Sequence, residues 1–222
     1  MQQPATTLQG LRDHWQWRPE WSTDRICVLW YLTFETAPEL SRQAEQAQAL
    51  LGGIATVDVV PTAWLHLTLD DVGFADELLP GQVEQVVDAA RTAVRDWTAP
   101  ALTLGPACPM EDAVVLQAGP APDLVALREL LRGATTGVLG PETVTGLDEF
   151  WPHVTLAYLN DACEPGTVMD PLAPVSAAQL VVSAPRLTLA AVTRHDRQYQ
   201  WTALAHLPLD ESVDHPADGA LG

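Results

Sequence analysis

The sequence predicts an α+β sheet protein built around a sizeable hydrophobic core. Two observations carry this. Strand-like and helix-like runs follow one another without a strict strand–helix–strand rhythm. Of the 222 residues, 47% are hydrophobic and 18% charged, which supplies core side chains and excludes wholesale disorder. At roughly 150 residues per domain, the length fits one large domain or two small lobes.

The elements follow in order. Residues 1–24 form an aromatic N-terminal arm carrying Trp15, Trp17 and Trp21, read as aromatics that seal onto the body. Residues 25–209 read as a single domain. Residues 26–34 (ICVLWYLTF) are β-branched and aromatic, as in a buried strand. Pro38 opens a helix that Gly52-Gly53 ends. Strands follow at 54–60 and 64–72, parted by Pro61. A helix over 83–97 places Val83, Val86, Val87, Ala90 and Val94 on one face. Residues 102–104 and 113–118 form a strand pair. The next helix, 123–131, has Asp123 as its N-cap. A loop over 133–146 leads to a strand at 152–159. A proline-rich connection (Pro165, Pro171, Pro174) then reaches strands at 179–183 and 186–193. A hairpin turn returns the chain along 199–207. Residues 210–222 read as a flexible acidic tail.

Charge narrows the function. Eleven Lys+Arg oppose 29 Asp+Glu, a formal charge of −18, and all eleven are arginine. Such a chain repels long nucleic acids, DNA included, unless its arginines gather in one groove. It is equally unsuited to an anionic membrane surface. No apolar run reaches roughly 18 residues, so no transmembrane helix is expected. The start, MQQPATTLQGLRDHW, lacks the order of a secretory signal. Three scattered cysteines (Cys27, Cys108, Cys163) fit buried or incidental thiols in a reducing cytoplasm.

One pattern stands out. Residues 64–69 read Trp-Leu-His-Leu-Thr-Leu, and residues 151–156 read Trp-Pro-His-Val-Thr-Leu. Each lies in a predicted strand. Strand side chains alternate, so His66 shares a face with Thr68, and His153 with Thr155. Leu65, Leu67, Leu69, Val154 and Leu156 point the other way, into the core. Two such strands facing one cleft suit phosphodiester chemistry. A neutral imidazole takes a proton from the attacking oxygen, and an imidazolium gives one to the leaving oxygen. The threonine hydroxyls hold non-bridging oxygens as charge builds there. No cofactor and no metal is called for. A zinc site is the competing reading; it needs a third ligand, for which Asp70 or His195 would serve.

At these residues the chain resembles the 2H phosphoesterase superfamily, which includes the bacterial 2′-5′ RNA ligase-like proteins. That family is marked by two His-x-Ser/Thr-apolar motifs, here His66-Leu67-Thr68-Leu69 and His153-Val154-Thr155-Leu156. The likeness runs from about residue 25 to 207, and the segment LRDHWQWRPEW looks like that of an actinobacterial branch. The resemblance implies a bilobal α+β fold with pseudo-two-fold symmetry: antiparallel sheets flanked by helices, one motif per lobe and the cleft between. It implies a metal-independent opening of 2′,3′-cyclic phosphates to 2′-phosphates, or reversible 2′-5′ ligase-like chemistry. His153 would activate water and His66 would protonate the departing 3′ oxygen; the reverse reaction swaps them. Some relatives carry a cation shortly after the second motif. Here Ala157-Tyr158-Leu159-Asn160-Asp161 follows, which weakens the grip on a long RNA.

Four further residues are substrate-binding candidates. Arg194, in the late hairpin, offers a planar fork to a phosphate. Tyr199 offers a ring to a base. Trp64 and Trp151, two residues before each histidine, would wall the cleft. Trp201 reads as core. Of Trp30 and Tyr31, one must look into the cleft. His14, His195, His206 and His215 show no partner pattern. The substrate expected is a small nucleotide or an RNA end, with a specialised phosphorylated metabolite as the alternative. RNA would bind only if Arg186, Arg194 and Arg197 form a basic groove. A non-catalytic nucleotide-binding module would use the same residues.

Overall fold

The computed structural model describes residues 10–16, 21–141, 150–175, 179–182 and 185–211. Residues 17–20, residues 142–149 and the tail beyond residue 211 lie outside these, Trp17 and His215 among them. The described chain is α+β, as expected, with two antiparallel sheets that each carry one motif strand.

The first sheet runs in the order β10 (Gln198–Leu207), β9 (Arg186–His195), β1 (Cys27–Thr33), β3 (His66–Phe74). The second runs β2 (Val57–Val59), β7 (His153–Leu159), β6 (Ala113–Gly119), β5 (Leu102–Pro109), β8 (Leu180–Val182). Every pairing in both is antiparallel. A short parallel pair joins β4 (Thr98–Ala99) to β11 (Asp210–Glu211) and ties down the first two residues of the tail.

Among the described residues, four helices cover the sheets: α1 (Pro38–Leu51), α2 (Gln82–Ala93), α3 (Ala121–Leu139) and α4 (Pro165–Leu172). The pseudo-symmetric unit is strand, helix, motif strand: β1–α1–β3 and β6–α3–β7. The helices cross over. α1 packs behind β7, and α3 packs behind β3. Each motif strand is therefore backed by the helix of the other unit. The apolar stripes explain the packing: Leu40, Ala44, Ala47 and Leu51 are the buried residues of α1, at helical spacing. Leu124, Leu127 and Leu131 do the same for α3.

Three expectations change. Asp123 does not cap α3: the helix opens at Ala121 behind Pro120, and Asp123 falls inside its first turn. The proline-rich connection holds α4. Pro165 opens it, where a proline loses no hydrogen bond, and Pro171 falls in its last turn. α3 runs to Leu139, well past Gly133; Val138 and Leu139 still pack on the core, and Thr136 bonds back to the Arg132 carbonyl at 2.9 Å. Tertiary packing outweighs the helix penalty of glycine there. The β9–β10 turn is a two-residue hairpin, with Asp196 and Arg197 at φ 48° and 56°.

Candidate active site

The two histidines are held alike. His66 Nδ1 lies 2.7 Å from the Trp64 carbonyl oxygen, and His153 Nδ1 lies 2.7 Å from that of Trp151. A carbonyl only accepts, so Nδ1 carries the proton in both rings. Nε2 of each neutral ring is left with its lone pair. The short 3-10 turn Thr62–Trp64 brings the Trp64 carbonyl into place. The spacing shared by the two hexamers thus does its work through the main chain of the tryptophan, two residues before the histidine.

The strands share a second device. Tyr31 pairs with Thr68 and Trp30 with Asp70, which leaves Leu69 as an extra residue in β3. Val115 pairs with Thr155 and Val114 with Ala157, which leaves Leu156 as an extra residue in β7. Each motif strand carries a one-residue bulge directly after its threonine. A bulge resets the alternation of faces. Tyr158, three residues past Thr155, returns to its face. The bulged carbonyls take donors from the crossed helices. Arg128 Nε of α3 donates to the Leu69 oxygen at 3.1 Å, and Gln48 Nε2 of α1 donates to the Leu156 oxygen at 3.2 Å. Gln48 also donates to the Val60 carbonyl. Gln48→Met keeps the side-chain volume and removes both bonds. It is expected to cost about 1–3 kcal/mol of unfolding free energy, read by urea titration.

Burial sets the electrostatics. His66 is pushed down to about 4, chiefly by burial and further by His153, against the pull of the Trp64 carbonyl. His153 is also lowered by burial, but the Trp151 carbonyl and Asp112 oppose the shift. Both rings are accordingly neutral at rest near pH 7. Tyr31 stacks on the His66 ring, centroids 4.0 Å apart and planes 17° apart. Its own phenol is held well above the usual range by burial, so it stays protonated. Tyr31 is thus the residue of β1 that faces the site, and Trp30 is fully buried. Thr68 is exposed, whereas Thr155 is only 8% exposed.

The other candidates sit as follows. Trp64 and Trp151 are half-buried. The Trp151 ring lies 5.7 Å from His153, and the Trp64 carbonyl also accepts from Trp201 Nε1 at 3.3 Å. Arg194 and Tyr199 are each 8% exposed and are engaged by the N-terminal segment. Arg194 donates to the Trp15 carbonyl, and the Tyr199 hydroxyl lies 2.9 Å from His14 Nε2. They do not form a basic groove with their neighbours: Arg197 pairs with Asp58 at 3.5 Å, and Arg186 is exposed on its strand. Asp70, a zinc-ligand candidate, is instead buried in a bidentate pair with Arg132 at 2.8 and 3.1 Å. His195 faces Asp196 on the exposed hairpin. Among the described residues, no three His, Cys, Asp or Glu side chains are grouped to hold a metal.

The fold has relatives. A family profile described as the 2′-5′ RNA ligase superfamily matches residues 36–197. The chain belongs to that superfamily. Its solved relatives include the TT0787 protein of Thermus thermophilus, with TM-score 0.65 and 18% identity, over 84% of this chain and 99% of that one. Escherichia coli LigT in apo form gives TM-score 0.57 and 20% identity, again over 84% and 99%. A structure described only as a phosphoesterase gives 0.55 and 19%, over 84% and 99%. At these identities the likeness is one of fold. No curated protein sequence matches significantly.

Within this superfamily fold, sequence reasoning passes over Gln48, Arg128, Tyr158, His14 and Asp112. Strict alternation puts Tyr158 on the wrong face, because the bulge has no local signature. Gln48 and Arg128 act on strands far from them in the chain. His14 has no neighbouring partner in sequence, since Asp112 and Tyr199 reach it only through the fold.

Proposed function

We propose that the protein is a metal-independent phosphodiesterase that opens 2′,3′-cyclic phosphates of nucleotides or RNA ends to 2′-phosphates. Membership of the superfamily supports phosphodiesterase or ligase-type chemistry. The observation that carries the finer reading is the matched pair of imidazoles, each anchored at Nδ1 and each leaving Nε2 for proton transfer. His153 Nε2 takes a proton from water as the water oxygen attacks phosphorus. The P–O3′ bond breaks, and His66 Nε2, as imidazolium, protonates the leaving O3′. Asp112 favours the charge that develops on His153, the role an acid plays behind a histidine base. Thr68 and Thr155 hold the non-bridging oxygens. Run backwards, the two imidazoles exchange roles, which gives ligase-like chemistry.

A small ligand is favoured. The chain is strongly acidic, and its described arginines are largely paired within the protein. E. coli LigT has been solved with phosphate, 3′-AMP, ATP and NADP+, all small.

The pH dependence tests the mechanism. Turnover needs one imidazole charged and one neutral. Both are lowered from 6.5 in the free protein, so above that pH the singly charged form thins by a factor of ten per unit. With 2′,3′-cyclic AMP, kcat/KM is expected to fall roughly tenfold per pH unit from pH 7 to 9. The bound phosphate anion raises both imidazoles, so kcat holds to higher pH than kcat/KM. A kcat/KM that is flat or rising over this range contradicts the two-imidazole mechanism.

A further inference from the structure

The N-terminal segment 11–16 lies ahead of the part of the chain that the superfamily profile matches. It bonds to both sheets. On the second-sheet side, Leu11 exchanges main-chain bonds with Cys163 at 2.8 and 3.1 Å. His14 Nδ1 lies 3.1 Å from Asp112, just before β6, and Trp15 Nε1 donates to Asp58 of β2 at 3.0 Å. On the first-sheet side, His14 Nε2 meets the Tyr199 hydroxyl of β10, and the Trp15 carbonyl accepts from Arg194 of β9.

What this segment covers has a definite chemistry. His14 stacks on Tyr158, centroids 4.2 Å apart, and Trp15 lies 5.5 Å from the Tyr199 ring. The Arg194 guanidinium sits over the Trp15 ring at 5.3 Å. Two rings packed against two phenols, one of them with a guanidinium over its face and on its carbonyl oxygen, copy what a nucleotide offers: a base to stack and an oxygen to bond. The surface adjoins the second motif, because Tyr158 stands on the same strand and face as Thr155, just past the bulge at Leu156.

We propose that His14 and Trp15 are specificity-determining residues: they occupy the subsite of a second nucleotide and so restrict the cleft to mononucleotides. This rests on the nucleotide reading above. Arg194, Tyr199 and Tyr158 form the floor of that subsite, and the N-terminal segment stands in it as a built-in occupant.

The test uses the full chain and binding, so it does not depend on turnover. Adenosine 2′-monophosphate and an adenine dinucleotide ending in a 2′-phosphate are titrated by calorimetry into the wild type, His14→Ala/Trp15→Ala, Trp15→Ala and Trp15→Phe. In the double variant, the affinity for the dinucleotide relative to the mononucleotide is expected to rise roughly tenfold or more, the size of one stacking contact. Trp15→Ala gives a smaller rise, and it serves alone if the double variant does not fold. Trp15→Phe restores the wild-type preference. A ratio within twofold of wild type in the alanine variants overturns the inference and leaves the proposed function standing. A purely structural role weakens both ligands together and leaves the ratio unmoved, which counts against the inference in the same way. Failure of both ligands to bind any of the proteins sinks the inference together with the nucleotide reading.

Discussion

His66→Ala is expected to lower kcat on a 2′,3′-cyclic nucleotide by roughly 10²–10⁴-fold, and His153→Ala by a similar factor. Each ring is fixed at Nδ1 by a carbonyl, so each has a single nitrogen left for chemistry. Alanine removes the proton donor or acceptor and supplies nothing in its place. In the proposed mechanism the two act in one concerted transfer, so their losses do not add. The double variant is expected to fall little further than the worse single variant, as groups that work as a unit do. Single-turnover kinetics with rapid quench separates this from a change in binding. Losses that multiply would mean the imidazoles act in independent steps. The variants are expected to fold: removing a buried imidazole whose charge is disfavoured costs no paired ion.

The second large effect concerns stability. Asp70, 3% exposed on β3, accepts both nitrogens of the Arg132 fork, and Arg128 Nε lies 3.4 Å from it. The pair joins the first motif strand to the crossed helix α3. Asp70→Ala takes the Asp70 carboxylate away from Arg128, whose side chain is itself only 7% exposed. Removing one partner of a buried ion pair costs about 3–5 kcal/mol. For a chain of this size that corresponds to a loss of roughly 10 °C in Tm. Chemical unfolding monitored by tryptophan fluorescence measures it. A loss under about 1 kcal/mol would show that the pair is solvent-screened and that α3 is held by its leucines alone.

The legible part of the fold was the part written in short-range pattern. The strand at 26–34, the helix at 38–51 and both motif strands appear within a few residues of their places, because β-branched runs, a proline at N1 and alternating faces are local signals. The His-Thr pairs stand out as candidates for the same reason, because the local pattern is repeated. What local pattern does not carry is phase and reach. The bulges at Leu69 and Leu156 reset the strand faces, so Tyr158 arrives beside Thr155. α4 was hidden by prolines that sit where a helix tolerates them. Arg194 and Tyr199 look like free substrate contacts in sequence, and only the fold shows His14 and Trp15 lying on them. The arginines read as a candidate groove are spent pairwise, each on an acid or carbonyl distant in the chain or, like Arg186, left on the surface.

In the proposed mechanism two matched imidazoles perform metal-free proton transfer on a cyclic phosphate. ³¹P NMR of a 2′,3′-cyclic nucleotide with the purified protein in excess EDTA tests it most directly, with His66→Ala and His153→Ala alongside. Conversion to a 2′-phosphate alone, lost in either variant, is the result this account requires. Unchanged cyclic phosphate beside a well-folded wild type, or turnover that EDTA silences, would contradict it.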